Sequence, residues 1–135
     1  MNILFICAGN SVRSQMAEGW ARELCDEQHE VTSAGLQAGG VHPLAVESMR
    51  LVGIDISQHN SRRISDKLFN WADFIITVAD RVEPYSVYFP ETIKHIHWPI
   101  PNPDAMYAPN LQIEEAYAII REDLRERVEQ FLQSI

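Results

Sequence analysis

The chain has 135 residues, 46% of them hydrophobic and 22% charged, which suits the packed core of one domain and excludes wholesale disorder. Nineteen acidic against eleven basic residues give a net charge of −8, excluding a partner held mainly through a phosphate backbone while leaving a small anion in a local positive pocket open. No apolar run reaches the roughly 20 residues of a membrane helix. The start, Met1-Asn2-Ile3-Leu4-Phe5-Ile6-Cys7, lacks the basic, longer apolar pattern of a signal peptide. Two cysteines, Cys7 and Cys25, are too few for a disulfide framework or a zinc site. The expectation is one domain spanning 1–135, cytoplasmic and monomeric, with reduced thiols, no cofactor, and neither nucleic acid nor membrane as partner.

Residues 2–6 form a continuous apolar run closed by a Gly-Asn turn signal, which predicts a buried strand. A helix follows over about 14–28, with Met16, Trp20 and Leu24 on one stripe. Glu30-Val31-Thr32-Ser33-Ala34-Gly35 reads as a second strand closed by glycine, and about 43–51 as a helix with Pro43 in its first turn. A short helix near 65–71 precedes a strand over 73–78 with the apolar centre Phe74-Ile75-Ile76. Residues 94–98 predict a fourth strand, and 99–109, with four of the seven prolines, a loop. Asn110 is expected to cap a long final helix carrying Ile113, Tyr117, Ile120, Leu124, Val128, Phe131 and Ile135 on one face and a solvated charged face opposite. This alternation predicts an α/β, three-layer domain built on a parallel sheet.

Ligands of such sheets bind at the carboxyl ends of the strands. There the first strand runs into Cys7-Ala8-Gly9-Asn10-Ser11-Val12-Arg13-Ser14, a Cys-x5-Arg pattern lying between a strand end and a helix start. A loop of this length can turn its N–H groups inward around a tetrahedral oxyanion, and the following helix adds its positive end. Gly9 and Asn10 are residue types that tolerate positive φ. Arg13 offers a planar fork to two oxygens, Cys7 lies where a thiolate is favoured, and Ser14 can donate to its sulfur. An anionic nucleophile held against an anion suits attack on phosphorus or arsenic. The Gly-Lys-Ser/Thr ending of a nucleotide P-loop is absent.

Cys7–Arg13, continuing into Ser14-Gln15-Met16-Ala17-Glu18-Gly19-Trp20, resembles the arsenate reductases built on the low-molecular-weight protein tyrosine phosphatase fold. The likeness extends through Thr32-Ser33-Ala34-Gly35, Val52-Gly53-Ile54-Asp55-Ile56-Ser57 and His97-Trp98 into the last helix. It implies a four-stranded parallel sheet, Cys7 as nucleophile, Arg13 as oxyanion clamp, and Asn10 and Ser14 as loop and thiolate stabilisers, with Ala8, Gly9, Ser11 and Val12 completing the oxyanion loop.

Three departures from that pattern matter. Thioredoxin-coupled members relay oxidation through two further cysteines after the third strand, and none stands there here. Many of the phosphatases carry a second loop cysteine where this chain has Val12, and Cys25 lies roughly 16 Å up the helix axis. The family's general acid, an Asp before a Pro, matches Asn102, which cannot deliver a proton, so a factor of about 10² to 10⁴ in rate is at stake. Asp104 reaches the site only if the proline loop bends toward it, and otherwise caps a turn. Several arsenate reductases also bind a monovalent cation through Asn, Glu, Ser and Asp. Asn10, Glu18 and Ser33 match that set, but Arg62 falls on the Asp position, and its guanidinium is expected to replace the ion and hold Glu18 or the loop.

Three functions remain open: arsenate reduction, hydrolysis of an aryl or protein tyrosine phosphate through a cysteinyl-phosphate, and non-catalytic binding of phosphate or arsenate. The first needs an external thiol such as glutathione, mycothiol or a glutaredoxin-like protein. For the second, Tyr107 or Trp98 could wall an aromatic slot. His95 and His97 alternate along one strand face, but without a third ligand they do not predict a metal site.

Overall fold

The computed structural model describes residues 1–82, 89–90, 92–106 and 108–135. Four strands, β1 (Asn2–Cys7), β2 (Glu30–Gly35), β3 (Phe74–Ala79) and β4 (Lys94–Pro99), form one sheet in the order β2-β1-β3-β4. Every pairing is parallel, with Cys7 opposite Gly35 and Ile6 opposite Thr77. The helices are α1 (Arg13–Leu24), α2 (Pro43–Arg50), α3 (Asp66–Trp71) and α4 (Ile113–Ser134).

Alternation along β1 divides the core between two layers. Ile3 and Phe5 pack with Met16, Trp20, Tyr117, Ile120 and Leu124 of α1 and α4. Leu4 and Ile6 pack with Phe69 of α3. A strand buried on both faces must be apolar throughout, which is why β1 and β3 show no polar alternation. The chain passes from β1 to β2 on one side and then from β2 across to β3 on the other side of β1, so the carboxyl end of β1 is a topological switch point. Among the described residues no helix is long and apolar enough to cross a membrane.

Local chemistry corrects two expected helix limits. The first helix stops at Leu24 rather than 28, because Cys25 turns extended at φ −81° and ψ 160°. Asp26 then accepts the Gln28 N–H at 2.9 Å, an Asx turn that competes with helix. The last helix begins at Ile113 behind Gln112, and Asn110 does not cap it. Asn110 instead holds a left-handed φ of 68° in the preceding turn. At α3 the expected short helix is present, and it starts behind a serine cap, Ser65 Oγ accepting the Leu68 N–H at 3.2 Å.

Candidate active site

The loop joining β1 to α1 has its carbonyls pulled outward. Those of Cys7, Ala8, Gly9 and Ser11 accept the N–H groups of Leu36, Gln37, Gly39 and His42 at 3.3, 3.0, 2.8 and 2.9 Å. The Asn10 carbonyl accepts Gln15 Nε2 and Ser61 Oγ, and the Val12 carbonyl accepts the Met16 N–H. With the carbonyls committed to the surrounding chain, the opposite edge of the loop presents N–H groups. Among the described residues, the N–H groups of residues 8–12 donate no backbone hydrogen bond. Five turned amides and a helix start make an anion nest. Asn10 supplies the one left-handed residue the loop needs, at φ 47°. Gly9 does not need its conformational freedom there, contrary to the sequence expectation; a Cβ would meet Ser11 Oγ at 3.0 Å.

Cys7 is 3% exposed at the base of this nest, its Sγ 2.9 Å from Ser14 Oγ. A chain of buried side chains sets the direction of that contact. Asn10 Nδ2 donates to both Ser14 Oγ (2.8 Å) and Ser33 Oγ (2.9 Å), and Ser33 donates to Glu18 Oε1 at 2.8 Å. Having accepted from Asn10, the Ser14 hydroxyl keeps its own proton free to point at the sulfur. Arg13, 9% exposed, donates through Nη1 to the Ile100 carbonyl at 2.8 Å, which fixes the guanidinium beside the loop.

Glu18 corrects the expectation for Arg62. Its Oε2 accepts Arg22 Nε at 3.0 Å and lies 3.0 Å from His59 Nδ1. His59 Nδ1 also faces Gln15 Oε1 at 3.0 Å, so between two acceptors it carries the proton. Burial is the main cause holding the His59 imidazole below its ordinary value, against the opposing charge of Glu18. Arg62 is exposed and serves the loop through its backbone, its N–H donating to Asn10 Oδ1 at 2.8 Å. Arg22 reaches Glu18 because it lies one helical turn further along α1, a spacing that fits an i,i+4 pair. Both Glu18 oxygens are thus committed to protein donors, and these residues do not fit a monovalent cation.

Asn102 and Asp104 lie in the turn after β4. Asn102 Oδ1 accepts the Asp104 N–H at 3.0 Å and caps a short 3-10 turn, Pro103–Ala105. Asp104 Oδ1 accepts the Tyr117 hydroxyl at 2.8 Å, tying the turn to α4. Burial first, and then Asp104, push the Tyr117 phenol well above its usual value. Trp98 does not wall a substrate slot: it is 7% exposed and packs on Phe5 and Phe131 in the core. Tyr107 lies outside the described residues. His95 and His97 share one partner, the Thr77 hydroxyl, at 3.1 and 2.7 Å. Cys25 is remote from Cys7, at the far end of α1, and burial followed by the Asp26 charge pushes its thiol up.

Two groups of residues escaped the sequence reading. Gln15, Arg22, His59 and Ser61 brace the loop from behind; the i,i+4 spacing to Glu18 is a local signal for Arg22, and nothing local marks the other three. Asp80 does carry a signal, since it directly follows β3 at the carboxyl edge of the sheet, and its Oδ1 lies 3.6 Å from Arg13 Nη1.

A buried thiol within an all-donor loop, at the switch point of a four-stranded parallel sheet, defines a class of cysteine-centred oxyanion sites. The family described as low molecular weight phosphotyrosine protein phosphatase matches residues 2–135, and the chain belongs to it. Arsenate reductase 2 of Staphylococcus saprophyticus is 37% identical over 129 residues, 96% of this chain and 94% of that protein. The arsenate reductase of Oceanobacillus iheyensis is 33% identical over 132 residues, 98% of this chain and 95% of that one. Among solved structures, an arsenate reductase in the phosphate binding state aligns with a TM-score of 0.80 at 34% identity, covering 99% of this chain and 98% of its own. A low molecular weight protein tyrosine phosphatase from T. tengcongensis aligns with a TM-score of 0.84 at 25% identity, covering 100% and 99%.

Proposed function

We propose that the protein is an arsenate reductase in which the Cys7 thiolate attacks arsenate held by the loop amides and Arg13. The sulfur–arsenic bond forms, an arsenic–oxygen bond breaks, and the departing oxygen leaves as water after taking up protons. An external thiol then attacks the Cys7 sulfur, giving a mixed disulfide while arsenic(V) is reduced to arsenic(III) and released as arsenite. A second thiol reduces the disulfide and restores Cys7. The observation that carries this reading is the Cys7 thiol at the base of a loop whose carbonyls all turn outward, with Ser14 Oγ 2.9 Å from its sulfur. The names of the relatives choose arsenate among tetrahedral anions.

The resolving thiol comes from another molecule because the chain has only two cysteines and Cys25 sits at the far end of α1. Glutathione, mycothiol and a glutaredoxin-like protein are the chemical classes that fit. Asp104 anchors the proline turn through Tyr117, and Asn102 occupies the general acid's place without being able to supply the proton. Because an Asp at 102 would accept the same capping hydrogen bond, Asn102→Asp adds an acid without dismantling the turn.

The test is arsenite release from arsenate with each thiol, using wild type, Cys7→Ser and Asn102→Asp. One thiol should support turnover, Cys7→Ser should abolish it, and Asn102→Asp should raise the rate by about 10². An unchanged rate in Asn102→Asp would refute the placement of the acid. Hydrolysis of aryl phosphates is the second reading, favoured by membership of the phosphatase family and by a nucleophile that needs no relay cysteine. Cys7-dependent aryl phosphate turnover without arsenite release would establish it instead, and tight oxyanion binding with neither reaction would reduce the site to a binding function.

A further inference from the structure

We propose that Asp80 determines which oxyanion the site accepts: its carboxylate selects an anion that carries a proton, such as hydrogen arsenate or hydrogen phosphate, over fully deprotonated sulfate. The inference rests on reading the loop at Cys7 as an oxyanion site, and it adds the basis of choice among oxyanions.

The position follows from the sheet. Ile6 pairs with Thr77 across β1 and β3, so Asp80, three residues further on, stands level with the loop that follows Cys7. Its Oδ1 lies 3.6 Å from Nη1 of Arg13, which is itself fixed by the Ile100 carbonyl. Arg13 is almost buried whereas the Asp80 side chain is 63% exposed, so the carboxylate stands on the solvent side of the guanidinium, at the mouth of the nest. Among the described residues, the carboxylates of Glu18 and Asp104 are engaged elsewhere. Glu18 lies behind the loop with Ser33, Arg22 and His59, and Asp104 is tied to Tyr117.

The loop amides, Arg13 and Ser14 all donate. A cradle of donors alone holds phosphate, arsenate and sulfate alike, since each is a tetrahedron of acceptor oxygens. A carboxylate changes this, because it can only accept. Hydrogen phosphate and hydrogen arsenate retain an O–H at neutral pH and can donate it to Asp80. Sulfate has no proton to give and would set its oxygens against an acceptor of the same charge. Specificity then comes from a repulsive element against the wrong anion as well as an attraction for the right one. A hydrogen bond to a charged group corresponds to a preference of about tenfold or more.

The experiment reads the rate at which iodoacetamide alkylates Cys7 near neutral pH, under increasing sodium phosphate or sodium sulfate at constant ionic strength. Wild type should need at least about tenfold more sulfate than phosphate for half-protection. In Asp80→Asn and Asp80→Ala the two concentrations should converge, chiefly because sulfate protects better, while Asp80→Glu should keep part of the preference. A purely structural role for Asp80 would weaken both anions together and leave their ratio intact, and that result would overturn the proposal. So would a wild-type ratio near one. If neither anion protects wild-type Cys7, the oxyanion reading of the loop fails with it, an outcome distinct from loss of selectivity alone. Thermal melts of the variants confirm that the chains compared are folded.

Discussion

Gly35 ends β2 beside the loop, and a Cβ there would lie 2.6 Å from the Asn10 nitrogen and 2.8 Å from the carbonyl oxygens of Ala8 and Gln37. All three neighbours are backbone, two in the cradle and one in the stretch that braces it, so none can swing aside. Gly35→Ala should therefore cost about 1–3 kcal/mol in urea unfolding by overpacking. It should also remove the protection of Cys7 by phosphate; full protection in a destabilised variant would show that the cradle tolerates the shift. Asn10 combines two demands of a different kind. Its backbone takes a positive φ, while its buried amide donates to Ser14 and Ser33 and accepts the Arg62 N–H. Of the common left-handed residues, Gly lacks the amide and Asp lacks its N–H donors, so Asn meets both demands.

At the scale of elements, the loop is shaped by the segments around it more than by its own residues. The strand-to-helix stretch 36–42 takes four of its carbonyls, and residues 60–62 hold Asn10 and Gln15 from the other side. The turn after β4 is tied down separately by α4, through the Tyr117–Asp104 bond and the Pro103 packing beneath it. Tyr117→Phe keeps the buried ring and removes only that hydroxyl. The loss should be about 1 kcal/mol in urea unfolding. If the tether also positions Asn102, the variant should lose part of the rate gained by Asn102→Asp; independent effects of the two substitutions would show that Tyr117 serves stability alone.

The behaviour of the whole molecule with pH should reflect the half-buried His59 and, on β4, His95. His59 and His95 are both held below the ordinary value of 6.5, mainly by burial, with His97 adding to the effect at His95. Between the folded and unfolded values the unfolded chain binds more protons, so stability rises with pH across that window and is lost as pH falls below about 6.5. The urea midpoint should therefore drop between about pH 7.5 and 5.5, and His59→Gln should drop less. An equal drop in both would remove His59 from that account. The same scale explains how a chain of net charge −8 can offer an anion a favourable pocket, since the inward N–H groups and Arg13 make a local field opposite in sign to the surface.

The layered α/β architecture, the four parallel strands and the loop from Cys7 to Ser14 were legible in the sequence because each rests on local order. Unbroken apolar runs mark strands buried on both faces, and a strand end, a helix start and the Cys-x5-Arg spacing lie within one short stretch of chain. The expectation that a resolving thiol would come from outside the chain also rests on the sequence alone, because cysteines can be counted without a fold. What tertiary structure decided is where separate segments meet. His59, not Arg62, comes to Glu18 from a distant segment, and Arg62 acts through its backbone. Asp104 belongs to Tyr117, Trp98 belongs to the core, and Asp80 comes to Arg13 across 67 positions of sequence. Side-chain identity limits which hydrogen bonds and charge pairs a residue can make, but only the packing of distant elements brings one partner within reach and carries another away.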